Sequence, residues 1–170
     1  MFFTLWPDAS LRAALAALAR DVAREARGRA TAAANLHLTL AFLGDQPAQK
    51  LEVLQSLAGG IGGPSFALTL DEIGCFRRTG IAWLGASTPQ PALLALQGRL
   101  ASALRQAGFS LDERPYAPHL TLARHARTPV HSVLGRPVAW NVTSFALVAS
   151  DLGRDRPTYR IVDEWALATA

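Results

Sequence analysis

Two histidine–threonine pairs are the side chains of this sequence best suited to chemistry. His37 and Thr39 lie within Asn-Leu-His-Leu-Thr-Leu, and His119 and Thr121 lie within Ala-Pro-His-Leu-Thr-Leu. Because alternate side chains of a β-strand share a face, each histidine shares a face with its threonine, while the leucines take the other. A leucine face is typical of a protein core. A polar face that recurs in this way requires a separate explanation.

Two imidazoles on such faces can open a cyclic phosphodiester. The reaction needs a base that deprotonates the attacking water and an acid that protonates the departing ribose oxygen, and imidazole titrates close enough to neutrality for both tasks. Each proton transfer typically contributes about 10²- to 10⁴-fold to the rate. Thr39 and Thr121 can donate hydrogen bonds to the non-bridging phosphate oxygens as charge builds there. One His-x-Thr-Leu segment alone is typical of an ordinary strand, but two matched copies favour a function.

The two motifs occupy matching places in an internal repeat. His37 and His119 are 82 residues apart, and Phe66 and Phe145 are 79 residues apart. Each half is predicted to contain a strand, a helix and two further strands. We therefore predict an α+β fold with two pseudo-symmetric lobes, each an antiparallel sheet with helices, around a central cleft where the histidines meet. Residues 1–170 are expected to form a single domain that contains both lobes.

The predicted elements follow from the apolar periodicity and from the residues that begin and end each segment. Helices are expected over residues 8–27, 47–58 and 91–107. Strands are expected over residues 2–6, 36–43, 66–73, 81–85, 119–124, 142–150 and 159–167. The glycine-rich segment 59–64 lacks the Gly-Lys-Ser/Thr of a phosphate-binding loop and is predicted to be a flexible connection.

Composition limits the class of protein. Half of the 170 residues are hydrophobic and 18% are charged, which is typical of a folded chain. The single cysteine, Cys75, allows no internal disulfide. The histidine spacing gives no metal-binding pair, so neither a metal nor a cofactor is expected. Without a signal peptide or a long apolar stretch, the chain is expected to be a cytoplasmic monomer that does not enter a membrane.

The net charge of +4 suggests an anionic partner. Sixteen arginines and one lysine carry the positive charge. The planar guanidinium suits contacts with phosphates and nucleobases, although a GC-rich genome would produce the same bias. Four of these side chains, which either guide an RNA strand toward the cleft or lie in solvated loops, are Arg77, Arg78, Arg154 and Arg156.

The segments around the two histidines also resemble a known family. Asn-Leu-His-Leu-Thr-Leu-Ala-Phe-Leu-Gly at residues 35–44 and Arg-Pro-Tyr-Ala-Pro-His-Leu-Thr-Leu-Ala-Arg at residues 114–124 are similar to the two signature motifs of the 2H phosphoesterase superfamily. They are most similar to the motifs of its bacterial and archaeal RNA 2′,3′-cyclic phosphodiesterases, also called 2′-5′ RNA ligases. The resemblance runs from the strand at Phe2 to the closing strand that contains Trp165.

This resemblance implies a bilobal fold and metal-independent hydrolysis of a 2′,3′-cyclic phosphate at an RNA end, leaving a 2′-phosphate. It also implies weak reverse ligation that gives a 2′-5′ linkage, and RNA ends, including tRNA fragments, as partners. By the same resemblance, His37 is the acid that protonates the ribose O3′ and His119 is the base that activates water.

Phe42 and Arg124 each lie five residues after their histidine and are therefore partners in the repeat. An aromatic ring and a guanidinium on opposite sides of a cleft can hold a nucleobase between them. The odd spacing places both on the leucine face unless the strand twists or bulges, so Phe42 either packs in the core or stacks on a base. Arg124 belongs to the family motif, and a phosphate requires a nearby cation. Tyr116 either lines the pocket or packs under the strand.

Two other functions could use the same residues. One is a phosphodiesterase for small cyclic nucleotides or for an ADP-ribose cyclic phosphate, and the basic loops favour RNA over it. The other is a non-catalytic module that binds RNA ends. The absence of either histidine would favour such a module, and both are present.

Overall fold

The computed structural model describes residues 1–151 and 158–169, and in this part of the chain it contains nine strands and three α-helices. The helices are α1 (Ala9–Glu25), α2 (Leu51–Gly59) and α3 (Pro91–Gln106). The strands are β1 (Phe2–Leu5), β2 (Arg29–Ala30), β3 (Leu38–Phe42), β4 (Phe66–Phe76), β5 (Ile81–Gly85), β6 (Leu120–Arg124), β7 (Ser132–Val142), β8 (Ser144–Asp151) and β9 (Thr158–Ala166). Arg154 and Arg156 lie outside the described residues.

The strands form one antiparallel sheet in the order β7-β4-β5-β6-β3-β1-β8-β9, and the short β2 pairs with β6. This arrangement confirms the predicted α+β class. The two motif strands lie side by side at the centre of the sheet, where Leu38 of β3 pairs with Leu120 of β6. Apart from the short β2, four strands lie on each side of this junction, and the strands that carry the repeated motif meet at it as the repeat predicts.

The lobes do not coincide with the halves of the sequence repeat. β4 follows the first motif but pairs with β5 and β7, whereas β8 follows the second motif but pairs with β1 and β9. The reason is the short connection at residues 77–80, because four residues between two strands impose a hairpin. One lobe is therefore the continuous segment 66–142, and the other is built from both ends of the chain.

All the predicted helices and strands are confirmed, and the helix ends shift by at most four residues. Two further strands, β2 and β7, were not predicted. The sequence of β7 contains Gly135 and Pro137, which are unfavourable in a central strand, and most of its residues are exposed. β7 lies at the outer edge of the sheet, where a proline is tolerated because one side of the strand needs no ladder hydrogen bonds.

Helices α1 and α3 hold the two lobes together, because each packs against a strand of the other lobe. α1 begins at Asp8, whose side chain accepts a hydrogen bond of 2.8 Å from the Leu11 amide. It follows β1 in one lobe but packs against β6 of the other, and α3 follows β5 but packs against β3 and β4. Leu15 and Leu100 are fully buried in these contacts. The leucine faces of β3 and β6 are thus covered, and the polar faces point the other way.

No helix within the described residues is long and apolar enough to cross a membrane.

Gly74 of β4 gives a sharp packing constraint close to the second motif. A Cβ atom at Gly74 would overlap Cζ2 of Trp83, which lies opposite Gly74 in the β4–β5 pair. We expect Gly74→Ala to lower the free energy of unfolding by about 1–3 kcal/mol, because the indole must move within a packed layer. Urea denaturation measures this change.

The matched control is Gly135→Ala in β7, where nothing lies within 4 Å of the added Cβ. This exposed substitution should change the free energy of unfolding by less than about 0.5 kcal/mol. Equal effects of the two substitutions would contradict the packing argument.

Candidate active site

Each motif strand carries a β-bulge one residue after its threonine. In the β1–β3 pair, Thr4 lies opposite Thr39 and Phe3 lies opposite Ala41, so Leu40 is the extra residue. A bulge places two residues opposite one and thereby changes which face the following side chains occupy. The residues that follow Leu40 therefore switch faces relative to an unbroken alternation.

The bulge in β3 brings Phe42 to the histidine face. Phe42 lies opposite Phe2, and the Phe2 ring stacks on the His37 ring with centroids 4.7 Å apart. The Phe42 side chain is 64% exposed. The interpretation of Phe42 as a core residue is therefore wrong, because the bulge removes the odd-parity argument that supported it.

The second motif strand repeats this device. In the β5–β6 pair, Trp83 lies opposite Thr121 and Ala82 lies opposite Ala123, so Leu122 is the extra residue. Arg124 is exposed beyond the bulge and its charge acts on both His37 and His119. The guanidinium therefore lies on the histidine face, as the family motif implies.

The two imidazoles are held in the same tautomer by backbone carbonyls two residues upstream. Nδ1 of His37 lies 2.7 Å from the Asn35 carbonyl oxygen, and Nδ1 of His119 lies 2.8 Å from the Ala117 carbonyl oxygen. Because a carbonyl can only accept, Nδ1 carries the proton in each neutral ring. Nε2 of each ring is left for chemistry. In His37 it lies 3.1 Å from Oγ1 of Thr39, whose hydroxyl donates to it when the ring is neutral.

Burial keeps both histidines neutral. It lowers the pKa of His37 to about 4; the hydrogen bond to the Asn35 carbonyl opposes this shift, and the charges of Arg124 and His119 add to it. Burial also lowers the pKa of His119, with a further contribution from Arg124. At neutral pH the cleft therefore presents two unprotonated Nε2 atoms.

His37 is surrounded by aromatic rings. Phe2 and Trp6 both stack on it, with interplanar angles of 29° and 15°, and Tyr159 meets it edge-on at 5.3 Å between centroids. These rings were not identified as site residues from the sequence. The signal lies in the alternation of Phe2, Thr4 and Trp6, which places both rings on one face of the first strand.

His119 has a more open environment. Among the described residues its one aromatic neighbour is Phe76, which meets it edge-on with centroids 5.0 Å apart. The two histidines thus share a tautomer but differ in their surroundings, and this difference is not visible in the repeated motif.

Tyr116 links the two motifs. Its hydroxyl donates a 2.9 Å hydrogen bond to the Thr39 carbonyl oxygen, and burial raises the pKa of the phenol, so it stays a donor. Tyr116 also lines the cavity, which decides between the two alternatives for this residue.

A cavity of about 920 Å³ opens beside the histidine face. It reaches from Thr39 and His119 to the β4–β5 turn and to α3. Its charged lining residues are Arg77, Arg78, Arg105, Asp112, Glu113 and Arg114. A volume of this size is typical of a ligand site. Within the described ranges, no group of three or more His, Cys, Asp or Glu side chains is arranged to hold a metal ion.

Comparisons with known proteins agree with this geometry. The model of the 2′-5′ RNA ligase superfamily matches residues 7–154. This chain belongs to that superfamily. It is 42% identical to an Escherichia coli K12 protein named RNA 2′,3′-cyclic phosphodiesterase, over 82% of this chain and 80% of that protein. It is 31% identical to a Thermotoga maritima protein of the same name, over 76% of this chain and 74% of that one.

A solved structure shares the architecture over nearly the whole chain. The crystal structure of E. coli LigT complexed with 3′-AMP superposes with a TM-score of 0.88 at 38% identity, covering 98% of this chain and 96% of that chain. The suspected family and the α+β fold are therefore both confirmed.

In this member of the 2′-5′ RNA ligase superfamily, one face of the joined sheet carries all six residues singled out from the sequence: His37, Thr39, Phe42, His119, Thr121 and Arg124. The other two histidines lie elsewhere. His125 adopts a positive φ of 55° just after β6, and His131 pairs with Glu72 at 3.4 Å. Neither lines the cavity.

The shared tautomer and the lowered pKa values can be measured by ¹⁵N NMR of the ligand-free protein. At pH 7 both His37 and His119 should show the neutral Nδ1–H form. On acidification His37 should take up its proton near pH 4, because burial and the Arg124 charge disfavour the imidazolium.

Spectra of His37→Asn and His119→Asn assign the two signals. Protonation of His37 near the ordinary histidine pKa of about 6.5, or an Nε2–H tautomer at either ring, would contradict the described geometry.

Proposed function

We propose that this protein hydrolyses a 2′,3′-cyclic phosphate at the 3′ end of an RNA and leaves a 2′-phosphate. The observation that carries the proposal is the pair of neutral imidazoles on adjoining strands, each fixed through Nδ1 so that Nε2 can exchange a proton. The names of the E. coli and T. maritima relatives support the same activity.

In the proposed reaction His119 acts as the base and His37 as the acid, as the family resemblance implies. Nε2 of His119 takes a proton from water, whose oxygen forms a bond to phosphorus while the bond from phosphorus to O3′ breaks. Nε2–H of protonated His37 then gives its proton to O3′. The products are a free 3′-hydroxyl and a 2′-phosphate, and the histidines return to their starting states by proton exchange with solvent. Weak 2′-5′ ligation follows when a 5′-hydroxyl takes the place of water.

The acid role requires that His37 gain a proton although burial disfavours the imidazolium in the empty cleft. An anionic phosphate beside the ring supplies the missing stabilisation, since a nearby opposite charge raises the pKa of an imidazole. Protonated Nε2 becomes a donor, and the Thr39 hydroxyl, 3.1 Å away, no longer donates to it. That hydroxyl is then free to donate to the phosphate.

The remaining site residues hold the substrate. Thr39 and Thr121 donate to the non-bridging phosphate oxygens, and Arg124 balances their charge. The exposed ring of Phe42 stacks on the terminal base, and the Arg124 guanidinium faces it. These assignments need neither a metal nor a cofactor.

We also propose that residues 1–170 act as a single monomeric domain. Each lobe contributes one histidine–threonine pair, and one helix of each lobe, α1 or α3, packs on the motif strand of the other. Neither lobe contains a complete site without its partner.

His37→Ala and His119→Ala should each slow hydrolysis of an oligonucleotide with a 2′,3′-cyclic phosphate end by about 10²-fold or more, because each removes one proton transfer. Chromatography of the products in EDTA measures the rates, and the unaltered protein should be as active in EDTA as without it.

His131→Ala serves as the control, since that exposed ring lies outside the cavity. The mechanism is wrong if either catalytic substitution leaves a tenth of the rate. It is equally wrong if EDTA abolishes activity and Mn²⁺ or Mg²⁺ restores it.

A substrate whose 3′ oxygen is replaced by sulfur tests which histidine is the acid. A thiolate leaves without protonation, so this substrate should restore most of the rate to His37→Ala and little to His119→Ala. The unaltered protein, assayed on both substrates, provides the reference ratio. Rescue of His119→Ala instead would reverse the two roles and leave the class of enzyme intact.

A further inference from the structure

The cavity extends beyond the residues that the proposed reaction uses. Its far part is bounded by the β4–β5 turn, which carries Arg77 and Arg78, and by the last turn of α3, which carries Arg105. The turn starts directly after Phe76, whose ring touches His119. Arg77 and Arg78 therefore lie one and two residues beyond a ring that contacts His119, and all three arginines line the same cavity as His119.

These three guanidinium groups have no anionic partner in the described part of the chain, where the arginines paired with a carboxylate are Arg24, with Asp21, and Arg114, with Asp112. All three are exposed. Two carboxylates, those of Asp112 and Glu113, line the cavity. Asp112 is paired with Arg114, which donates hydrogen bonds to both of its oxygens. With Asp112 and Arg114 paired, the remaining charged groups of the cavity lining are three arginines, Arg77, Arg78 and Arg105, and one carboxylate, Glu113. The lining therefore carries a net positive charge.

The volume leaves room for more than the reacting phosphate and its ribose. Pockets for a single small ligand measure about 300–1,000 Å³, and this cavity, at about 920 Å³, lies near the upper end of that range. Unpaired arginines that line the cavity fit a series of phosphates, since a guanidinium donates two parallel hydrogen bonds to a phosphate.

We propose that Arg77, Arg78 and Arg105 form a subsite for the phosphates of the one or two nucleotides that precede the cyclic phosphate. The enzyme then acts on oligonucleotide ends in preference to cyclic mononucleotides. This inference rests on the proposed function, because the subsite is defined relative to the reacting phosphate.

The experiment compares kcat/KM for a cyclic mononucleotide with kcat/KM for di-, tri- and tetranucleotides that end in the same cyclic phosphate. For the unaltered protein kcat/KM should rise by about tenfold or more from the mononucleotide to the trinucleotide and then level off, because two added phosphates each gain a charge-assisted contact. The logarithm of kcat/KM for the trinucleotide should also fall more steeply with the logarithm of salt concentration, by about 0.7 for each phosphate bound.

The test variants are the double substitution Arg77→Ala/Arg78→Ala and the single substitution Arg105→Ala. Each should lower kcat/KM for the trinucleotide by about three- to tenfold per arginine, chiefly through KM, and should reduce its salt dependence. Mononucleotide hydrolysis should stay unchanged, which also shows that the cleft is folded. Arg77→Lys/Arg78→Lys should keep the salt dependence, since the charge remains.

Arg136→Ala is the matched control, because this exposed arginine lies in β7 and does not line the cavity. Equal kcat/KM for all substrate lengths would overturn the subsite, and so would arginine variants that affect every length alike or none. Failure of the proposed function looks different, since the unaltered protein would then hydrolyse neither the mononucleotide nor the oligonucleotides.

Discussion

The junction between β3 and β6 is the contact on which the whole cleft depends. One residue pair, Leu38 with Leu120, joins the two lobes along the sheet. A backbone hydrogen bond contributes about 1 kcal/mol net, whereas a fully buried leucine contributes about 1.5–3 kcal/mol. The leucines of both motif strands are buried under helices that belong to the opposite lobe. Side-chain packing therefore holds the junction, and the backbone pair sets its register.

This register brings the polar faces together and the bulges complete them. Without the extra residues Leu40 and Leu122, strict alternation would place Phe42 and Arg124 on the packed side of the sheet. The same local irregularity in both strands turns an aromatic ring and a cation toward the histidines. A bulge leaves one backbone position unpaired, and that cost is acceptable where it aims a side chain into a site.

The fold is nearly symmetric at the histidines, but their environments are not. The Nδ1 contacts are alike within 0.1 Å, at 2.7 and 2.8 Å, so the tautomer is set by the repeated local backbone. The rings packed around each histidine come from other parts of the chain: His37 lies among Phe2, Trp6 and Tyr159, whereas His119 meets Phe76 alone among the described residues. A symmetric backbone with unequal desolvation is a means of giving two identical groups different proton affinities.

The sequence by itself determined the elements, the α+β class and the two histidine–threonine faces. These features depend on periodicity, which is a local property. Leu38 and Thr39 point to opposite faces of their strand whichever strand pairs with it. Only the tertiary structure decided which strands pair, so β4 joined β5 through a tight turn and the sequence halves were exchanged between lobes. It also decided which face of the sheet Phe42 occupies and that β7 lies at the edge, because a bulge and a sheet edge are defined by the partner strand. Local periodicity cannot show which strand lies across a hydrogen-bonded ladder. For that reason the strand pairing that surrounds the cleft was not predictable from the sequence.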